Sequence, residues 1–230
     1  MFALDFANPY VIYLFMIVVT LLTITWILKS DDMRSLHIAL LYGFFTLLLL
    51  YSVTSRYIIP YVVDDVVRYP FFPTRIAALL CLLYLVLLRP RWLRPAVFFI
   101  ASTNILPVFF PMGHPRNIEI LNENFLIDHF VGGVMPFAVV KIDGYVPSVK
   151  PALISALSLG GIVIAFIPLN EIFQFGNYFF MHEDNFVITR IDWVTEYRFA
   201  GMLTIGFIIF FLLYVKIGRH IAHKNKKTQP

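Results

Sequence analysis

The sequence is poor in cysteine and in charge. One cysteine, Cys81, occurs in 230 residues, which excludes an intrachain disulfide, a CxxC redox pair and a thiolate zinc site. Only 14% of the residues are charged, against about 25% in a soluble domain. No phosphate-cradling glycine loop, HExxH helix or GxSxG elbow is present, so the chain offers no cofactor motif and no metal motif. Its first residues, MFALDFANPY, contain no Lys or Arg. A cleavable signal peptide needs a positive start, so the first apolar run is expected to be a retained helix.

Hydrophobic residues make up 60% of the chain, and the mean hydropathy is +0.80. Apolar runs near membrane-spanning length recur from end to end, which predicts an all-α polytopic membrane protein. A soluble bundle would show helices with polar faces, and these runs mostly do not. The expected fold is a bundle of about seven transmembrane helices, at 10–28, 36–55, 72–88, 95–112, 124–141, 150–173 and 197–217. The third and fourth are short, and the fourth carries Pro107, so either could be broken or re-entrant. The segment YIIPYVVDDVVRYPFFP, 57–73, is too interrupted for a span. It reads as an interfacial connection or as an element lying flat on the outer surface. No internal repeat supports an inverted-repeat transporter.

A formal charge of +4 and a pI near 9.2 could suggest nucleic acid, but the distribution of charge points to topology. With the N-terminus outside, 12 of the 18 basic residues fall on cytoplasmic segments. These are Lys29 and Arg34, then Arg89, Arg91 and Arg94, then Lys141 and Lys150, then Lys216, Arg219, Lys224, Lys226 and Lys227. Most acids face outward in that arrangement, as the positive-inside rule requires of an N-out, C-in protein. Residues 1–217 are then one transmembrane helical domain. The tail GRHIAHKNKKTQP, 218–230, is a basic cytoplasmic end suited to anionic lipid. The expected location is the plasma membrane of a bacterium, with multiple passes. Nucleic acid is not an expected partner; membrane phospholipids are, and a membrane-protein partner is a second option.

Charged groups at membrane depth are expensive and usually face a bundle interior or a wet cavity. The stretch FLIDHFVGGVMPF, 125–137, places Asp128 and His129 on span five. By helical rise His129 sits roughly 10 Å below the outer surface. Asn170 and Glu171 lie near the outer end of span six, Asn104 in the outer half of span four, and Arg75 at the outer end of span three. Polar groups of separate helices thus share one level. His129, Gly132, Gly133 and Pro136 share one helical face, where the glycines admit a neighbouring helix or a ligand. Asp128 points about 100° away and reads as a partner for Arg75 or a similar group, or as part of a reactive site. Asn170, Gln174 and Asn177 form a stripe leading out of the membrane, a ligand contact or a ladder satisfying nearby backbone. Arg75 suits a lipid phosphate or the interface. Cys81, among leucines, reads as a packing residue.

These stretches also carry a resemblance. DHFVGGVMPF, a short loop KIDGYVPSVKPALIS and a long helix ending in NEIFQFGNYFFMHEDN resemble the YwaF-like, or transmembrane protein 164, family of integral membrane proteins. Its animal relative is described as an acyltransferase that remodels phospholipids. Bacterial members have a histidine opening the first helix, a GYRPT-like loop and a second helix ending in NYMYL. The matching positions are His129, GYVPS at 144–148 and NYFFM at 177–181. YPFFPTRIAALLCLLY, 69–84, is similar to the family's LPFHLCSLSLLL. The family cysteine, taken as the nucleophile, is missing from Arg75–Ala77; Cys81 lies about one turn further on.

The shared depth of these polar groups, together with the resemblance, which carries over His129, Asn177 and Tyr178, leads to the expectation of an enzyme acting on a lipid in the outer half of the bilayer. Its catalytic residues would be His129 as general base with Asp128 and Glu171. Arg75, Asn104, Asn170, Gln174, Asn177, Tyr178, Gly132 and Gly133 would bind substrate, with Asn170 and Asn177 donating to an oxyanion. The alternative is a non-catalytic lipid-binding or accessory subunit of an envelope complex, in which the same polar layer is structural. A carrier relaying protons through Asp128, His129 and Glu171 is a third option, weakened by the lack of repeats.

Overall fold

The computed structural model describes residues 9–30, 35–64, 73–105, 123–173 and 196–228. All described regular structure is helical. In chain order the helices are α1 (Pro9–Lys29), α2 (Ser35–Val53), α3 (Ile59–Asp64), α4 (Pro73–Val86), α5 (Arg94–Ser102), α6 (Glu123–Lys141), α7 (Val149–Phe173) and α8 (Glu196–Thr228). A π-helical turn, Thr54–Ile58, joins α2 to α3, and a 3₁₀ turn, Arg91–Leu93, precedes α5. Three stretches among the described residues are long and apolar enough to cross a membrane: Ser35–Val63, Val149–Leu169 and Tyr197–Asn225. Leu36, Leu40 and Leu47 of α2 are each more than half exposed, as expected of helices whose outer faces meet hydrocarbon rather than water.

The sequence signals place these helices well. Proline opens α1 and α4 and sits in the first turn of α5, where its missing N–H costs nothing. Lys29 and Lys141 close α1 and α6, where the helix dipole favours cations. Gly144 follows α6 with φ +67°, a left-handed conformation that glycine adopts without strain. There the Tyr145 N–H reaches back to the Val139 carbonyl at 3.1 Å, closing the helix end.

Two expectations are corrected. The second helical run does not stop at residue 55: it continues through the π turn into α3, so the first part of 57–73 is helical. The residues after Asp64 in that segment lie outside the described ones, as does Pro107. The last helix does not end near 217 but continues through the basic tail to Thr228; the lysines, arginine and alanine of that tail are good helix formers.

The chain forms two compact units. The first comprises Met1–Val146 with Gly218–Pro230, the second Pro147–Ile217. In the first unit α6 is the hub and touches α1, α2, α4 and α5. Val131, Val134, Met135, Ala138 and Val139 of α6 are all buried. Beyond the end of α6, the Asp143 carboxylate accepts hydrogen bonds from the Tyr42 hydroxyl at 2.8 Å, the Tyr84 hydroxyl at 2.7 Å and Arg89 Nη1 at 2.9 Å. Arg89 also lies over the Tyr42 ring, 4.7 Å from its centroid, a cation–π contact. Leu88 and Arg89 reach this position with φ of 58° and 62°, a strained backbone for non-glycine residues. In the following loop Tyr145 packs on Phe98, ring centroids 5.5 Å apart, and burial pushes its phenol up to about 12.

In the second unit α7 and α8 approach closely at Gly160. A Cβ at 160 would overlap the Thr204 side chain, whereas at Gly161 nothing lies within 4 Å. Gly160→Leu is expected to lower stability by about 1–3 kcal/mol through overpacking, while Gly161→Leu leaves it within about 0.5 kcal/mol. Thermal unfolding of the detergent-purified variants checks this; equal effects at both positions would refute the close approach.

Candidate functional site

The polar residues of the first unit gather where the end of α2 meets the start of α6. The π turn is the local cause. Its extra residue per turn brings Ser52, Ser55 and Arg56 onto the side facing α6, and Ile59 N–H closes it by bonding to the Thr54 carbonyl. Such single π turns inside helices recur at functional sites. Ser52 Oγ donates to Asp128 Oδ1 at 2.7 Å, Ser55 Oγ to Asn124 Oδ1 at 2.7 Å, and Arg56 Nη1 is bonded to Asp128 Oδ2. Arg56 and Asp128 are both buried. Both oxygens of the Asp128 carboxylate are therefore engaged. Arg75, in the first turn of α4, also acts on Asp128 electrostatically, but the direct partner is Arg56.

His129 is the next residue of α6 and is 4% exposed. Its Nδ1 lies 2.7 Å from the Phe125 carbonyl oxygen. A carbonyl can only accept, so Nδ1 carries the hydrogen, and in the neutral ring Nε2 holds the lone pair. The ring stacks on Phe125 with centroids 3.9 Å apart, which fixes its plane. Among the described residues nothing is bonded to Nε2.

One turn further along α6, Gly132 is filled by a neighbour. A Cβ there would overlap the side-chain amide of Asn104, which follows α5 and is fully buried. Among the described residues neither Oδ1 nor Nδ2 of Asn104 has a hydrogen-bond partner. Gly133 faces Ile105 and Thr20 at 3.7 Å, and the buried Thr20 hydroxyl also has no partner among the described residues. The space that these glycines provide is thus taken by protein side chains, two of them carrying unmatched polar atoms. Unmatched buried amides cost about 1–3 kcal/mol each, so they mark a place where a polar ligand atom or water would be welcome.

The remaining expected site residues are distributed differently. Cys81 on α4 is fully buried and free. The charged group acting on it is Asp128, an acid rather than the basic neighbour that activates a thiol. Asn170 and Glu171 fall in the last turn of α7, in the second unit. Gln174, Asn177 and Tyr178 lie outside the described residues. The structure therefore gathers Asp128, His129, Asn104, Gly132, Gly133 and Arg75 in one unit. It adds Ser52, Ser55 and Arg56, whose i, i+3, i+4 spacing at the end of an apolar run was the available signal.

A comparison with known families decides what this chain is. The TMEM164 family model matches residues 5–214, nearly the whole chain. The chain belongs to the TMEM164 family. It is accordingly a membrane protein, and the match takes in α1 to α7 and most of α8. No curated protein and no solved structure matches it.

Two tests follow for this family member. Gly132→Ala should destabilise the fold by about 1–3 kcal/mol, and combining it with Asn104→Gly should recover most of the loss. Additive losses in the double variant, read by thermal unfolding, would contradict the contact. Asp128→Asn should cost about 3–5 kcal/mol, because it leaves the Arg56 charge buried without a counter-ion. A variant as stable as the parent would show that the pair does not hold the fold.

Proposed function

We propose that this TMEM164-family protein is a membrane enzyme that transfers an acyl group between lipids, with His129 as general base, at a site in the outer half of the bilayer. The observation that carries this reading is the fixed His129 tautomer: Nδ1 is committed to the Phe125 carbonyl, leaving Nε2 as a base in a buried site. The charge asymmetry of the loops supports the outward placement.

The chemistry balances with one base. The acceptor lipid's hydroxyl gives its proton to Nε2 as its oxygen attacks the donor's ester carbonyl. The carbonyl oxygen becomes an oxyanion, and the Asn104 amide, unmatched among the described residues, is the group able to donate to it. Collapse expels the leaving lysolipid oxygen, which takes the proton back from Nε2. Arg56 and Asp128 hold the first turns of α6 in place, and Arg75 is suited to a lipid phosphate. The burial of Cys81 favours direct transfer over a thioester intermediate.

One observation favours a second reading, in which the chain binds a lipid without turnover: both Asp128 oxygens are engaged by protein donors, as in a purely structural polar layer. Transfer of a labelled acyl chain between phospholipid and lysophospholipid, measured with purified protein in liposomes, separates the two. His129→Ala should lower the rate by about 10²–10⁴-fold, the usual share of a general base, with helicity unchanged. Cys81→Ser should leave it nearly intact. An unaffected His129→Ala rate, or no transfer by the parent protein with any acyl donor, removes the proposal.

A further inference from the structure

The π turn carries one more polar side chain beside the Asp128 cluster. Tyr57 directly follows Arg56 in that turn, and its hydroxyl oxygen is buried with no hydrogen-bond partner among the described residues. A phenol near the end of a membrane span ordinarily turns its hydroxyl to the wet interface. This one is enclosed, and an enclosed hydroxyl without a partner is costly. It marks a place for a ligand atom.

The surroundings of this hydroxyl select what can satisfy it. The charges of Arg75 and Arg56 both act on it, and the same two guanidiniums act on Asp128. A phenol oxygen can accept a bond from an arginine, but its proton needs an acceptor, and a guanidinium has none to offer. Asp128, the carboxylate of the cluster, already takes Ser52 on Oδ1 and Arg56 on Oδ2. The group that completes the cluster is therefore an acceptor, and beside two guanidiniums it carries negative charge. The level of Tyr57 indicates which anion. The continuous helical run from Ser35 to Tyr57 rises roughly 30 Å, the thickness of a bilayer's hydrocarbon core. A run that starts at one interface thus brings Tyr57 to the headgroups of the other, where lipid phosphates lie.

We propose that the Tyr57 hydroxyl donates to the phosphate of a bound phospholipid, with Arg75 supplying the charge, and that this contact selects lipids that carry a phosphate. Arg56 stays on Asp128 and holds the turn in place. The inference deepens the acyl-transfer reading and rests on it for the lipid's role as substrate. The phosphate contact itself is a binding property and is measured without turnover.

Tyr57→Phe provides the test, because it removes one oxygen and no hydrogen bond among the described residues. In delipidated protein its melting temperature should be no lower than the parent's, since an unmatched buried hydroxyl contributes nothing to the fold. Native mass spectrometry of the detergent-purified full chain would be titrated with phosphatidylcholine, with diacylglycerol of the same acyl chains and with inorganic phosphate. The parent is expected to retain phosphatidylcholine about tenfold or more over diacylglycerol, a difference of 1.4 kcal/mol, with no displacement by inorganic phosphate. Tyr57→Phe should lower phosphatidylcholine retention about tenfold, the usual effect of losing a hydrogen bond to a charged group, and leave diacylglycerol retention unchanged. Arg75→Gln should show the same selective loss. Parent-like phosphatidylcholine retention by Tyr57→Phe, equal loss of both lipids, displacement by inorganic phosphate, or a lower melting temperature in the delipidated variant would overturn the proposal. The acyl-transfer reading fails separately: a parent without transfer activity removes that reading, while a phosphate preference lost in Tyr57→Phe still stands.

Discussion

Helix α6 is held at both ends by a buried carboxylate, and the arrangement of the first unit depends on it. Asp128 is gripped by Ser52 and Arg56; Asp143 is gripped by Tyr42, Tyr84 and Arg89. Between them α6 is apolar and buried. In lipid, apolar helices gain little by preferring each other to acyl chains, so packing and interhelical hydrogen bonds choose their partners. Two carboxylates that must find donors fix the height and rotation of α6 against α2 and α4. Either carboxylate left unpaired in a low-dielectric interior would be far more costly than a lost apolar contact.

That constraint also explains why the ring of His129 is held in one position. His129 follows Asp128 directly, so the clamp that fixes one fixes the other. Its ring is set by its own helix, through the Phe125 carbonyl and the Phe125 ring, and needs no acidic partner to choose the tautomer. Asn104 reaches α6 only because residue 132 has no side chain. The result is an imidazole and, packed against the next turn of α6, the Asn104 amide, both positioned by a helix that cannot slide.

Much of the fold was legible in the sequence because apolar runs and prolines report helix length and helix starts directly. The runs at 10–28, 124–141 and 150–173 each coincide with a helix to within a residue or two at either end. The site was less legible. His129, Gly132 and Asn104 were marked by being polar or small in apolar surroundings. The actual partner of Asp128 was not, because Arg56 sits four residues from Ser52 at what reads as the end of a span, and a π turn has no compositional signature. The Asp143 cluster was missed for a similar reason: its two tyrosines look like ordinary interfacial residues, and only the loop closed by Gly144 brings the aspartate beneath them.

The π turn between α2 and α3 has a consequence for what changes this segment can absorb. Deleting one residue from 54–58 would restore an ordinary α-helical repeat and rotate everything beyond it by about 100°, carrying Arg56 away from α6 and stranding a carboxylate in oil. Side chains there can vary as long as serine and arginine keep their places. The length of the stretch cannot, so the number of residues in this turn is a stricter requirement on the protein than most of their identities.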